Sequence, residues 1–213
     1  MKVIGLTGGI ASGKSTVTTL LQEKDFIVLD ADRIARQLAE PGQAMWQAYV
    51  DRYGEQVLLA DNTLNRQAVA DIVFRQPEER QWMDGMAHPL IQQEIQQRLE
   101  GLKQVGYPVV FLDVPLLFET GWEAMVDETW VVYVEPELQL ARLQKRNGYS
   151  IEEAQRRISV QMPLAEKRRR ADKVIMNNGS EAELRQAVEE AVVDFLAERS
   201  AFPHRRISRR KLF

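Results

Sequence analysis

Five short apolar runs alternate along the chain with longer segments in which apolar residues recur at helical spacing. The runs are rich in β-branched residues and are bounded by polar or glycine-containing stretches, so we interpret them as strands. They cover residues 2–6, 26–30, 108–114, 129–134 and 173–176. The third run is apolar except for Asp113 near its end, which suits a strand buried on both faces. Strands that alternate with helices predict an α/β fold with a parallel five-stranded sheet.

Two helices have clear boundaries in the sequence. Residues 16–24 follow the first strand and a glycine-rich loop, and their apolar positions lie on one helical face. Ser180 and Glu183 have the spacing of a capping box and open a closing helix that we expect to reach about residue 199. Its apolar stripe consists of Leu184, Val188, Ala191, Val192 and Phe195.

Two long segments do not fit simple alternation. Residues 42–103 are helical in pattern, with turns at 53–54, 61–62 and 76–77, and are too long for one crossover helix. We interpret them as an inserted helical domain. Residues 136–170 are helical and dense in arginine and lysine, which makes them a candidate lid. The remaining segments, residues 1–41, 104–135 and 171–200, form the predicted core. Residues 201–213 form a basic tail that we expect to be disordered and to which we assign no function.

Composition narrows the class of protein. The 213 residues carry a net charge of −3, are 45% hydrophobic and 28% charged, and include no cysteine. These values are ordinary for a globular protein and give no signal for nucleic-acid or membrane binding. The absence of cysteine excludes disulfides, thiolate metal sites and a catalytic thiol. The sequence shows neither a signal-peptide pattern nor an apolar run of membrane-spanning length, so we expect a cytoplasmic protein, with a monomer favoured.

Residues 8–15 read Gly-Gly-Ile-Ala-Ser-Gly-Lys-Ser and match the phosphate-binding pattern G-x-x-x-x-G-K-[S/T] between a predicted strand and a helix. A glycine-rich turn alone would explain Gly8 and Gly13, but not a lysine beside a hydroxyl residue at the helix start. Lys14 is expected to reach the β- and γ-phosphates and Ser15 to ligate Mg²⁺. The expected ATP contacts from this loop are Gly8, Gly9, Ala11, Ser12, Gly13, Lys14, Ser15 and Thr16.

Three acidic residues lie where predicted strands end. Asp113 could hold Mg²⁺ through water in the manner of a Walker B acid, or it could face solvent or cap the next loop. Asp30 and Asp32 lie two positions apart, so both carboxylates would project to one side if that segment is extended. Asp32 could equally be the N-cap of a helix over residues 33–38, and the two roles do not exclude each other.

The basic segment contains a pair of arginines at helical spacing. Arg142 and Arg146 lie four residues apart and would share one helical face. Two guanidinium groups on a mobile helix are suited to neutralising a transferred phosphate when a lid closes. The alternative is a solvated basic face, which is common for arginine-rich helices.

Several motifs in family order resemble the dephospho-coenzyme A kinase family. They are the loop around residues 6–17, Asp30-Ala31-Asp32, His88-Pro89, the block 113–119 (Asp-Val-Pro-Leu-Leu-Phe-Glu), residues 143–146, Arg157-Ile158 with 161–164 (Gln-Met-Pro-Leu), and the block 171–175 (Ala-Asp-Lys-Val-Ile). The resemblance implies a three-layer P-loop kinase core with a helical substrate-binding domain and a lid. It implies transfer of the ATP γ-phosphate to the ribose 3′-hydroxyl of dephospho-coenzyme A, with Mg²⁺, as the last step of coenzyme A synthesis.

The resemblance also implies roles for individual residues. Asp32 becomes the base or orienting group for the acceptor hydroxyl, His88 and Glu119 face the acceptor, and the segment around Asn177 lies near the adenine. Without the resemblance, His88 before Pro89 would indicate a helix start. Met176 stands where the family often has an acid.

Other functions remain open on the sequence alone. A kinase with another small-molecule acceptor would share the loop and the lid. A non-catalytic nucleotide sensor would bind ATP without turnover. A GTPase is disfavoured because the guanine-reading motif Asn-Lys-x-Asp is absent.

Overall fold

The computed structural model describes residues 1–198, so the predicted basic tail 201–213 lies outside the described residues. All five predicted strands are present, with ends that differ from the sequence prediction by no more than two residues. They are β1 Lys2–Gly8, β2 Ile27–Asp30, β3 Val109–Asp113, β4 Glu128–Tyr133 and β5 Lys173–Met176. The predicted α/β fold with a five-stranded parallel sheet is therefore confirmed.

The order of the strands places β1 at the centre of the sheet. The sheet runs β2-β3-β1-β4-β5. β1 pairs in parallel with β3 on one side and with β4 on the other, so that Leu6 lies opposite both Asp113 and Trp130. Ligands of open α/β folds bind outside the carboxyl ends of strands at such a central point. The glycine-rich loop leaves β1 at that end.

The chain divides into two compact units, which are described separately. The first comprises Met1–Val28 and the described residues from Gly106 onward, and the second comprises Leu29–Val105. The helices of the first unit are α1 Lys14–Glu23, α6 Pro136–Asn147, α7 Ile151–Ser159, α8 Leu164–Arg170 and α9 Glu181–Ala197. The helices of the second unit are α2 Ala31–Leu38, α3 Ala44–Tyr53, α4 Arg66–Arg75 and α5 Pro77–Gln104. Short 3-10 turns cover Gly54–Val57 and Trp122–Met125.

The core of the first unit lies between the sheet and the helices α1 and α9. Phe111 packs edge-on against Trp130, and Trp130 packs in the same way against Phe195 of α9. The capping box of Ser180 and Glu183 is present, and the predicted apolar stripe of α9 is buried. The sequence prediction for this helix is therefore confirmed, with its end at Ala197.

The second unit is built around the 28-residue helix α5. The predicted turn at residues 76–77 is confirmed, because α4 ends at Arg75 and α5 begins at Pro77. The helix start inferred at His88 is wrong, since α5 continues through Pro89. Packing outweighs the lost hydrogen bond of the proline: Ala87, Ile91, Ile95 and Leu99 form a buried face that extends on both sides of it.

Within residues 1–198, none of the helices combines the length and apolar character needed to cross a membrane.

Asp30, not Asp32, is the N-cap of α2. The backbone N–H of Arg33 donates to Asp30 Oδ1 at 2.9 Å, and Asp32 lies inside the first helical turn. The alternative in which Asp32 caps a helix beginning at residue 33 is therefore wrong. The extended backbone ends at Asp30, so the condition for both carboxylates to project to one side is not met either.

Candidate active site

The glycine-rich loop connects β1 to α1 as the motif requires. β1 ends at Gly8, and Gly13 precedes the first residue of α1, Lys14. Ala11 and Gly13 both have left-handed backbone, with φ of 60° and 90°. Left-handed residues within a turn direct neighbouring N–H groups into one concavity, which suits an anion. The positive end of the α1 dipole adds to the attraction for phosphate.

Two glycines of the loop are required because amide side chains fill the space where a Cβ would lie. A Cβ on Gly13 would lie 2.1 Å from Nδ2 of Asn177, and the positive φ would strain any other residue. A Cβ on Gly9 would lie 2.7 Å from Nε2 of Gln139. The glycines thus allow side chains of α6 and of the segment after β5 to pack closely against the loop.

Lys14 and Asp113 form an ion pair beneath the loop. Asp113 is 4% exposed, so the alternative of a solvent-facing strand-end acid is wrong. The hydroxyl of Thr18 donates to Asp113 Oδ2 at 2.7 Å. Sequence reasoning missed Thr18, although its spacing of four residues from Lys14 places both on one face of α1.

The oxygen donors at this site fit Mg²⁺. Asp113 supplies a carboxylate and Ser15 a hydroxyl at the start of α1. Among residues 1–198 no cluster of three or more acidic or histidine side chains could hold a metal on its own. Mg²⁺ commonly binds through one or two protein oxygens together with substrate phosphates, and the donor set matches that habit.

Arg142 and Arg146 have different partners although both lie on α6. Arg142 donates to the carbonyl oxygens of Asn177 at 2.8 Å and of Gly179 at 3.3 Å. Arg146 donates to the side chain of its neighbour Asn147 at 2.8 Å. Asn177 in turn donates from Nδ2 to the Ser12 carbonyl at 2.7 Å, so Arg142 is connected to the loop through it. The proximity of Asn177 to adenine stays a prediction.

Comparison with known proteins decides the family. A model of the dephospho-CoA kinase family matches residues 2–183. The chain is 48% identical over 191 residues to a dephospho-CoA kinase of Symbiobacterium thermophilum, covering 90% of this chain and 80% of that protein. It is 47% identical over 180 residues to that of Carboxydothermus hydrogenoformans, covering 84% and 87%. The chain belongs to the dephospho-CoA kinase family.

Solved structures agree with this family assignment. The structure of TT1252 from Thermus thermophilus matches with a TM-score of 0.77 and 35% identity, covering 92% of this chain and 97% of that one. The dephospho-CoA kinase from Campylobacter jejuni matches with a TM-score of 0.71 and 27% identity, covering 92% and 98%.

In this member of the dephospho-CoA kinase family, Glu119 contacts a buried lysine. Lys167 of α8 is 0% exposed and lies 2.9 Å from Glu119 Oε1. It also donates to the Pro115 carbonyl at 2.8 Å and lies 3.4 Å from the Gly8 carbonyl. Burial lowers the pKa of Lys167, and Glu119 partly opposes that effect. Its spacing of three residues from the buried Leu164 was the only sequence signal for this position.

The family's predicted acceptor residues Asp32 and His88 both lie in the second unit. Asp32 is in the first turn of α2, where the helix dipole favours a carboxylate. His88 lies half-buried within α5. Their contact with an acceptor, like that of Glu119, stays a prediction.

Proposed function

We propose that the protein phosphorylates the ribose 3′-hydroxyl of dephospho-coenzyme A with ATP, giving coenzyme A and ADP. The observation that carries this proposal is the complete strand–loop–helix site, with Lys14 paired to Asp113, in a chain that belongs to the dephospho-CoA kinase family. Membership of the family supports dephospho-coenzyme A as the acceptor, and the loop with Lys14 and Asp113 provides the groups that can bind a triphosphate.

The ATP phosphates bind to the N–H groups of the loop and of the first turn of α1. Lys14 exchanges Asp113 for the β- and γ-phosphate oxygens, which carry more negative charge. Ser15 and Asp113 would hold Mg²⁺, whose charge neutralises the phosphate oxygens during transfer.

The chemical step is an in-line displacement. The acceptor 3′-oxygen forms a bond to the γ-phosphorus as the bond from that phosphorus to the bridging oxygen of ADP breaks. Asp32 orients the hydroxyl and accepts its proton. Arg142 and Arg146, on the lid of residues 136–170, neutralise the transferred group, while lid closure excludes water that would otherwise be phosphorylated.

The acceptor is a long molecule, and the second unit contains a cavity suited to its apolar part. The cavity holds about 620 Å³, which lies within the usual size of small-molecule sites. Its lining includes Met45, Tyr49, Val69, Val73 and Phe74, together with Arg36, Arg66 and Arg80. No carboxylate in the described part of the chain forms an ion pair with these three arginines. Apolar walls together with guanidinium groups suit a pantetheine arm joined to a pyrophosphate.

One assay tests the function directly. ADP release from ATP and Mg²⁺ is measured with and without dephospho-coenzyme A, and the product is identified by mass. Acceptor-dependent ADP and a product heavier by one phosphoryl group are expected. ATP binding without turnover would favour a nucleotide sensor, and turnover with another acceptor alone would leave a kinase of different specificity.

Asp32→Asn tests the acceptor role at the residue level. The substitution keeps the shape of the side chain and removes its charge, so turnover should fall while ATP affinity stays nearly unchanged. Loss of ATP binding in this variant would mean that Asp32 has a structural role or belongs to the metal site, and does not act on the acceptor.

A further inference from the structure

Two glutamine side chains hold the backbone of Ile10 from opposite sides. The N–H of Ile10 donates to Gln161 Oε1 at 2.8 Å, and Gln139 Nε2 donates to the Ile10 carbonyl at 2.8 Å. Gln139 belongs to α6, and Gln161 lies in the connection between α7 and α8. Ile10 is the second of the four variable residues within the glycine-rich loop, and neither glutamine is part of the motif.

The contact from Gln139 is built into the interior. Gln139 is 5% exposed, which is unusual for a glutamine, and its amide occupies the space beside Gly9 where a Cβ would lie. A buried amide is costly unless it is hydrogen-bonded, and the Ile10 carbonyl provides the acceptor.

The direction of the peptide group gives this contact a consequence for the phosphate site. In a planar trans peptide, the carbonyl of one residue and the N–H of the next point in opposite directions. Holding the Ile10 carbonyl towards Gln139 therefore turns the Ala11 N–H the other way. Asn177 does the same two residues later, because it binds the Ser12 carbonyl and thereby sets the direction of the Gly13 N–H.

We propose that Gln139 and Gln161 are positioning residues for nucleotide binding, which hold Ile10 so that the Ala11 N–H points into the phosphate site. The left-handed backbone of Ala11 fits this function, since it is strained for alanine and lies between Ile10 and Ser12, whose carbonyls accept hydrogen bonds from outside the loop. The proposal rests on the ATP site of the proposed function but not on the identity of the acceptor. Its test is therefore binding of ADP and Mg²⁺ without any acceptor.

The experiment compares Gln139→Met and Gln161→Met with Gln144→Met. Methionine keeps the length of the side chain and removes the amide. Gln144 lies on the same helix as Gln139, and its amide donates to Tyr149 O at 3.4 Å, away from the loop. By calorimetry, each loop-facing variant should bind ADP about tenfold more weakly, the loss expected for one hydrogen bond to a buried group. The Gln144 control should bind it normally.

Kinetics and stability separate positioning from a general structural role. KM for ATP should rise about tenfold in both variants, while KM for dephospho-coenzyme A should stay unchanged. Unchanged ADP affinity with a lowered melting temperature would overturn the proposal, because both glutamines would then contribute to the stability of the fold and not to nucleotide binding. The double variant should lose less affinity than the product of the single losses, since both side chains act on one residue. Fully additive losses would overturn the shared action on Ile10.

The outcomes remain distinct from those of the proposed function. Weaker ADP binding in both variants, together with no turnover of dephospho-coenzyme A by the unmodified protein, would retain the positioning roles and reject the acceptor. Normal turnover of dephospho-coenzyme A by the unmodified protein, together with unchanged ADP binding in the variants, would retain the acceptor and reject the positioning roles.

Discussion

The ammonium of Lys14 pairs with the carboxylate of Asp113, so the cation of the glycine-rich loop is held by the acid that ends the neighbouring strand. The parallel register sets this relationship, because Asp113 lies opposite Leu6 of β1 and the loop begins two residues later. The ion pair therefore holds both groups at the strand ends from which the loop begins. We infer that nucleotide phosphates take Lys14 from Asp113 and leave the carboxylate available for Mg²⁺.

Lys14→Ala should damage turnover far more than Asp30→Ala. Loss of a cation at the transferred phosphate should lower kcat by roughly 10²- to 10³-fold, the effect typical of removing one group that stabilises developing charge. Asp30 is the N-cap of α2, so its removal should cost about 1 kcal/mol of folding free energy and leave turnover near normal. Steady-state kinetics and urea unfolding of both variants provide the comparison. A near-normal rate for Lys14→Ala would remove the loop from the mechanism.

Thr18→Val should raise the Mg²⁺ concentration that the reaction requires, because the carboxylate of Asp113 would be held in position less firmly. The Thr18 hydroxyl binds Oδ2 of that carboxylate, and valine keeps the shape while removing the donor. We expect the Mg²⁺ concentration for half-maximal activity to rise about fivefold to tenfold, as for loss of one hydrogen bond to a charged group. Thr19→Val is the matched control, because the Thr19 hydroxyl binds the Ser15 carbonyl on the exposed side of the same helix. Equal effects in both variants would contradict the role of Thr18.

The sequence predicts those parts of the structure that depend on short-range patterns. The strands and α9 follow from runs of apolar residues and a capping box, and the loop follows from its motif. The partners of Lys167 and Gln139 could not be predicted, because they lie far away in the sequence, at separations that range from about fifty to more than a hundred positions, and depend on which face of a helix is buried. The local interpretation of His88-Pro89 failed for a related reason. Tertiary packing along α5 outweighs the tendency of a proline to end a helix.

Glu79→Gln should raise the pH at which the second unit unfolds in acid. Glu79 accepts hydrogen bonds from Arg52 at 2.6 and 2.8 Å and from the Tyr53 hydroxyl at 2.6 Å, which lowers the pKa of Glu79 from 4.5 to about 2. The folded protein therefore binds fewer protons than the unfolded chain between these values. The contribution of Glu79 to the stability of the fold is fully present above pH 4.5 and is lost as the pH falls towards about 2. Circular dichroism during acid titration measures this midpoint. Glu78→Gln is the control, and an equal shift in that variant would contradict the assignment.

Ala70→Trp should interfere with the acceptor and not with ATP. Ala70 lines the cavity of the second unit and is exposed, so an indole there would fill space without disturbing buried packing. We expect KM for dephospho-coenzyme A to rise about tenfold or more, as for loss of a well-filled apolar contact, with KM for ATP unchanged. Asp71→Trp places the same side chain on the next residue of α4, outside the cavity lining. An unaltered KM for the acceptor in Ala70→Trp would show that the cavity does not hold the pantetheine arm.

Lys167→Met should destabilise the first unit and change how its stability depends on pH. The substitution leaves Glu119 and the Pro115 carbonyl without their ammonium partner, and breaking a buried ion pair in this way typically costs about 3–5 kcal/mol. The double variant Lys167→Met with Glu119→Gln should recover part of that loss, because no unpaired charge remains. Urea unfolding at neutral pH measures both effects.

The alkaline pH range tests the cause of the lowered pKa of Lys167. Because burial lowers this pKa below 10.5, the folded protein releases the proton of Lys167 at a lower pH than the unfolded chain does. The unfolded chain then binds more protons over that interval, so the stability of the unmodified protein should rise with pH relative to Lys167→Met. Tyrosines that titrate in the same range are present in both proteins and cancel in the difference. A difference in unfolding free energy that stays constant or shrinks towards pH 10.5 would mean that Glu119, rather than burial, dominates the charge state of this lysine.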